Sequence, residues 1–281
     1  MAVEHVVVVG GGGLMGSGIA QVVATAGLRV TIVEVDQGGI ERGLRRIERG
    51  LERLEDGGGS ARARISSSTD LEEAAVTADH VIETVVEDLE LKAEVLRRVD
   101  RVCRDDVVLA SNTSQFAISK LAAATGRPDR VIGSHWFNPP PRMGLIEIVR
   151  GVETSDATLE TTVELAHRYG KETIVCRKDT QGFVTSRLIA LFMVEAARIV
   201  EEGIADADDV DRACRLAFGH AMGPLATADL SGLDTLERVA DGLRAQLGER
   251  FLLPQSVRAL VNAGHLGRKT GRGFSDYGEA R

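Results

Sequence analysis

Three polar groups interrupt otherwise apolar stretches of this sequence, and they define the chemistry on offer. They are Ala110-Ser111-Asn112-Thr113-Ser114, His135-Trp136-Phe137-Asn138-Pro139-Pro140, and the lone Glu147 inside Leu145-Ile146-Glu147-Ile148-Val149. A carboxylate within an apolar strand pattern is costly unless it is paired. His135, closing the preceding strand pattern, supplies a partner. Together they read as a dyad. The carboxylate orients the imidazole and stabilises its protonated form, and the histidine exchanges a proton with a substrate. Spacing alone also allows a plainer reading, a hydrogen-bonded core histidine and a charge at a strand edge. Cys103, Cys176 and Cys214 are few, odd in number and without metal-ligand spacing, so neither a metal site nor a disulfide framework is expected.

A second chemistry comes from glycine. Val6–Gly18 reads VVVVGGGGLMGSG, an apolar strand, a glycine turn and the opening of a helix. Gly11, Gly13 and Gly16 supply the G-x-G-x-x-G frame, with Leu14 and Met15 between the last two. The first glycine permits the turn, the second lets a pyrophosphate approach the backbone, and the third lets helix pack on strand. The helix N-terminus then offers N–H groups to the phosphates. Asp36 lies 20 residues beyond Gly16, at the end of the second strand pattern, where a carboxylate binds the adenosine ribose. A carboxylate there repels a 2′-phosphate and favours NAD over NADP. Glu34, on the same strand face, is the lesser candidate.

The elements that must position these groups alternate. Strand patterns cover His5–Val9, Val30–Glu34, His80–Val86, Val107–Ala110, Arg130–Ser134, Leu145–Val149 and Thr173–Cys176. Helical periodicity runs through Ile40–Leu54 and Leu89–Val99 between them. Strand–helix alternation predicts an α/β fold, a Rossmann-type doubly wound sheet. From about Gly182 the pattern becomes all-helical: Phe183–Glu201, Asp206–Phe218 with Asp206 as N-cap, Ser231–Leu247 and Pro254–Ala263. The expected division is therefore 1–181 and 182–281. Glu55–Ser68, rich in glycine and serine, reads as a surface loop.

Composition narrows the function. The 281 residues carry a net charge of −8, which argues against nucleic-acid binding, and 43% hydrophobic content excludes disorder. The longest apolar run, Leu188–Val194, is far short of the roughly 20 residues a membrane span needs. No targeting segment is visible, and a cytoplasmic location is expected.

The sequence resembles the L-3-hydroxyacyl-CoA dehydrogenase family, most closely its bacterial 3-hydroxybutyryl-CoA branch. The resemblance spans essentially the whole chain. It rests on GGGLMGSGIAQ (11–21), VVEDLELK (85–92), ASNTS (110–114), HWFNPP (135–140), LIEIV (145–149), KDTQGFVTSR (178–187), MGP (222–224) and GRKTGRGF (267–274). It implies an NAD-binding Rossmann domain followed by a helical domain that closes on substrate and forms a homodimer. It also implies His135 as the base toward the substrate 3-hydroxyl, with Glu147 as its partner, and Ser114 and Asn138 beside substrate and cofactor. Glu87 and Lys92 match positions near the nicotinamide half of NAD, and Lys269 matches another cofactor-contacting lysine. Ser186 stands where the mitochondrial members carry an Asn near the reacting centre, and Ala226 where a Glu commonly follows MGP. The family's CoA-contacting stretch aligns poorly near Gly50 and Gly57. Arg42, Arg45, Arg49 and Arg53 share one helix face; Arg49 and Arg53 in particular could hold the CoA phosphates. A solvated face balanced by Glu41, Glu48 and Glu52 is the alternative. The implied reaction is reversible oxidation of a short-chain L-3-hydroxyacyl-CoA. Rival readings are a free sugar-acid (gulonate-like) or dicarboxylic hydroxyacyl-CoA dehydrogenase on the same scaffold, and a non-catalytic NAD-binding structural protein.

Overall fold

The computed structural model describes residues 3–54 and 57–278. The chain divides after Thr180 into two compact units. The first contains β1 (His5–Val9), α1 (Leu14–Thr25), β2 (Arg29–Val33), α2 (Gln37–Leu51), α3 (Gly59–Arg62), β3 (Ile65–Ser68), α4 (Leu71–Val76), β4 (His80–Glu83) and α5 (Leu89–Asp100). It continues through β5 (Val108–Ser111), α6 (Ile118–Ala122), β6 (Val131–Trp136), β7 (Leu145–Arg150), α7 (Asp156–Arg168) and β8 (Glu172–Cys176).

These eight strands form one sheet in the order β3-β2-β1-β4-β5-β6-β7-β8. Neighbours pair parallel except β6 with β7. Helices cover both faces, so the central strands read as continuous apolar runs rather than alternating ones. Val6, Val7 and Val8 of β1 are all fully buried. The strand order reverses at β1, and the C-terminal ends of β1 and β4 flank the crevice where such sheets take their ligands. Because β1 to β6 run in one direction, His135, near the end of β6, lies at the same sheet edge as the glycine turn.

Two local expectations change. The stretch read as a loop over 55–68 contains α3 and the edge strand β3; Glu55 and Asp56 lie outside the described residues. β3 reads ISSS, with one apolar side chain, but its backbone pairs with β2 and Ser66 Oγ lies 2.8 Å from Thr31 Oγ1. The strand expected over 80–86 stops at Glu83, because the Glu83 carboxylate takes the Val85 N–H at 2.6 Å and turns the chain.

The second unit contains α8 (Thr185–Glu201), α9 (Ala207–Phe218), α10 (Pro224–Ser231), α11 (Leu233–Leu247) and α12 (Gln255–Asn262). Val194, Ala197, Leu225, Leu233 and Val257 are among its core residues. Asp206 caps α9 by accepting from Asp209 N at 3.1 Å. Two motif segments owe their form to buried carboxylates. Asp211 accepts from Leu225 N and Ala226 N, both at 2.8 Å, and so caps α10 from α9. A Cβ on Gly223 would stand 2.2 Å from that carboxylate, so the glycine of MGP is a packing requirement. Asp229 accepts from Phe274 N, Ser275 N and Tyr277 Oη, each at 3.0 Å, and closes the C-terminal segment.

His80 opens β4 with 1% exposure, and its Nδ1 has no hydrogen-bond partner among the described residues. Burial pushes its pKa down to about 4. The unfolded histidine takes a proton below about 6.5 and the folded one does not until about 4, so this site's contribution to stability is present above 6.5 and is lost as pH falls between those values. Urea unfolding at pH 7 and near pH 4 should show an acid loss smaller by roughly 2–3 kcal/mol in His80→Leu than in the parent. An equal acid loss in both would contradict this.

Candidate active site

His135 and Glu147 are directly opposite each other in the antiparallel β6–β7 pair. Directly opposed residues project from the same face of a sheet. The two side chains meet there, His135 Nδ1 to Glu147 Oε2 at 2.8 Å. Glu147 is fully buried and His135 is 7% exposed. The ring of Phe137 lies against the imidazole, with centroids 4.6 Å apart. The second Glu147 oxygen, Oε1, accepts from Cys176 Sγ at 3.3 Å. The sequence offered no signal for that contact, because only the β7–β8 register brings Cys176 to this face.

The glycine turn is a cradle that side chains would fill. A Cβ on Gly11 would sit 2.4 Å from Ile32 Cβ, and one on Gly16 would sit 2.3 Å from Gly10 O. The turn itself is made at Gly10, which holds φ +84. Gly13 is exposed and caps α1 with no side-chain acceptor. The N–H groups of Leu14, Met15 and Gly16 therefore begin the helix without intrahelical partners and point toward an anion. This geometry fits a dinucleotide pyrophosphate.

The two acidic residues after β2 make different contacts. Asp36 Oδ1 accepts from Gly39 N at 2.6 Å and caps α2. Glu34, the first residue beyond β2, accepts from Gly12 N at 2.7 Å and so lies against the glycine turn. Counting residues from Gly16 favours Asp36. The capping geometry of α2 engages Asp36 and leaves Glu34 facing the turn.

A buried charge cluster ties together the ends of β4 and β5. Glu83 is fully buried, and Lys92, on α5, is 1% exposed. Lys92 Nζ donates to Glu83 Oε1 at 2.9 Å and Val85 O at 3.2 Å, and lies 3.2 Å from Glu87 Oε2. Ser111 Oγ donates to Glu83 Oε2 at 2.6 Å. Burial pushes the Glu83 carboxyl above its ordinary value, against the opposing pull of the Lys92 ammonium and the Ser111 hydroxyl. Glu87 Oε1 in turn accepts from Thr113 Oγ1, Ser114 N and Gln115 N at 2.6, 3.0 and 3.1 Å. The loop carrying Ser114 is thus held by Glu87, and Asn112 Oδ1 accepts from Trp136 N at 2.8 Å to tie β5 to β6. Lys92 is not a solvated helix lysine. Glu83 escaped notice in the sequence, although it carries the signal that singled out Glu147, a carboxylate in an apolar strand.

An open groove of about 640 Å³ lies beside the start of α1, lined by Arg46, Arg49, Arg53 and Arg142 together with Pro139 and Pro140. Arg46 also donates to Gly12 O at 2.6 Å. Of the expected arginine face, Arg49 and Arg53 reach this groove; Arg45 pairs instead with Glu41 on the helix surface. Asn138 is exposed in the loop that follows β6. Two expected site residues belong to the second unit. Ser186 lies in the first turn of α8, and Lys269 Nζ is bound by Asp234 Oδ1 and Oδ2 at 2.5 and 2.7 Å. Among the described residues, no cluster of three or more His, Cys, Asp or Glu side chains is placed to hold a metal ion, and no helix is long and apolar enough to cross a membrane.

Residues 5–180 match the family model described as 3-hydroxyacyl-CoA dehydrogenase, NAD binding domain, and residues 182–277 match the corresponding C-terminal domain. The chain is 42% identical to a probable 3-hydroxybutyryl-CoA dehydrogenase of Bacillus subtilis, over 97% of both chains. It is 42% identical to a 3-hydroxybutyryl-CoA dehydrogenase of Mycobacterium tuberculosis, over 98% of this chain and 99% of the other. The crystal structure of (S)-3-hydroxybutyryl-CoA dehydrogenase from Ralstonia eutropha superposes with a TM-score of 0.94 at 38% identity, covering 99% of this chain and all of that one. With an NAD-binding sheet, a glycine turn and a buried His–Glu pair at one sheet edge, the chain belongs to the 3-hydroxyacyl-CoA dehydrogenase family.

Proposed function

We propose that this protein catalyses reversible, NAD-dependent oxidation of short-chain L-3-hydroxyacyl-CoA esters, 3-hydroxybutyryl-CoA to acetoacetyl-CoA first among them. The observation that carries the reading is the buried 2.8 Å pair of His135 and Glu147 at the sheet edge that bears the glycine turn. NAD, when bound, supplies the hydride acceptor. His135 accepts the proton of the 3-hydroxyl as the C3–O bond becomes a carbonyl, and returns it in the reverse direction. With Nδ1 committed to Glu147, Nε2 is the nitrogen that exchanges this proton, and the carboxylate stabilises the imidazolium that results. Ser114 and Asn138 orient the substrate carbonyl region. The Leu14, Met15 and Gly16 N–H groups hold the pyrophosphate, and Glu34 takes the ribose hydroxyls in place of Asp36. Glu87 and Lys92 shape the nicotinamide side.

The thioester's nucleotide end fits the basic groove, where Arg49 and Arg53 meet its phosphates. The second unit, which carries Ser186 and Lys269, pairs with a second copy. Exposed Leu188 and Ile189 on α8 and Leu216 and Phe218 on α9 supply apolar surface for that pairing. A free sugar acid would leave the arginine groove without a role.

NADH oxidation by acetoacetyl-CoA should be fast, with free acetoacetate and NADPH poor substitutes. Turnover of free acetoacetate at the same rate would overturn the CoA requirement. His135→Gln should lower kcat about 10²–10⁴-fold and leave NADH affinity unchanged by fluorescence titration. Loss of NADH binding in that variant would remove His135 from the chemistry. Glu34→Gln should weaken NADH binding roughly tenfold. Asp36→Ala should cost about 1 kcal/mol of stability and spare NADH affinity. The opposite pattern would return the ribose contact to Asp36.

A further inference from the structure

Glu147 presents two oxygens in a site closed to water, and His135 engages one of them. The other, Oε1, lies 3.3 Å from Cys176 Sγ, on the last residue of β8, where the side chain is 5% exposed. Strand register accounts for the approach. β7 lies between β6 and β8, with Glu147 opposite His135 on one side and opposite Ile174 on the other. Cys176, two residues beyond Ile174, projects from the same face as a diagonal neighbour, within reach of a long side chain. We infer that Cys176 is a positioning residue for the dyad. Its S–H donates to Glu147 Oε1, fixes the rotation of the carboxylate so that Oε2 faces the imidazole, and sets how firmly Glu147 holds the imidazolium. This rests on the dyad reading above and assigns the second oxygen a role in it.

The chemistry of the donor gives the inference a sign. A thiol is a weak donor, so it withdraws little of the carboxylate's charge. Without the thiol, more charge remains to stabilise imidazolium, and the histidine keeps its proton to higher pH. A hydroxyl donates more strongly and does the reverse. Charged residues on α6 and beyond β8 are exposed or engaged elsewhere. α6 covers this face through Ile118, which packs near Gly133 and so beside the dyad strands, and its Lys120 is exposed. After β8, Arg177 and Lys178 are exposed and Asp179 Oδ2 accepts from Ser119 N at 2.7 Å.

The test is the pH profile of kcat/KM for oxidation of 3-hydroxybutyryl-CoA by the full-length enzyme and its Cys176→Ala and Cys176→Ser variants. The acid limb should move to higher pH in Cys176→Ala and to lower pH in Cys176→Ser, each by roughly half to one unit. Loss of packing alone would not move the two variants in opposite directions. Limbs that stay in place, or that move the same way in both, overturn the inference. If Cys176→Ala fails to fold, the direction in Cys176→Ser decides alone. His135→Gln, run alongside, separates the two levels. If it keeps activity, the dyad reading fails. If it is inactive while both Cys176 variants keep the parent profile, only the role of Cys176 fails.

Discussion

A carboxylate sealed from water must be satisfied by its neighbours, and two such carboxylates organise the ligand edge of this sheet. Glu147 and Glu83 are both fully buried. Glu147 is met by His135 across β6 and Cys176 across β8, and Glu83 by Lys92, Ser111 and the Val85 N–H. Leaving a buried charge without its partner costs about 3–5 kcal/mol. A one-residue slip of β6 against β7 would put the histidine on the opposite face. The demand that makes His135 chemically useful therefore also holds the strands in register.

The remaining parts divide the work by physical type. Close approach belongs to glycine, where the packing of Gly11 on Ile32 and of Gly16 on the Gly10 carbonyl leaves no room for a Cβ. Anion attraction belongs to the uncapped start of α1. Loop placement belongs to Glu87, whose one oxygen collects Thr113, Ser114 and Gln115. The second unit uses the same device for a structural end. Asp211 and Asp229 are buried carboxylates that accept backbone N–H groups and fix segments which as bare sequence look like binding motifs.

Much of this was legible as sequence, and the parts that were not share a cause. β1 was read to the residue, because both of its faces are buried and its pattern is unbroken. The His135–Glu147 pairing was legible because a carboxylate in an apolar strand demands a partner. Glu83 carries the same signal in the middle of the pattern over 80–86, but its partners Lys92 and Ser111 lie on other elements that no local pattern brings to it. β3 gives no sequence signal, because an edge strand of sequence ISSS is held by its backbone rather than by apolar side chains. Counting from the glycine turn favours Asp36 over Glu34, and it does not see that α2 takes Asp36 for its cap. Cys176 had no local signal at all, since its partner is set by the register of two strands. Lys92 stood out through family resemblance alone; its burial against two glutamates is a tertiary fact.

On the proposed function, Glu147 governs the proton affinity of His135 through their cross-strand bond. The most direct measurement is the ¹⁵N chemical shift of the His135 ring against pH, in the parent enzyme and in Glu147→Gln. The imidazole should titrate at a higher pH in the parent than in Glu147→Gln, the direction expected when a buried carboxylate beside it is neutralised. An imidazole that titrates at the same pH in both proteins would reduce the pair to a packing contact and leave the proton transfer without its acid–base partner.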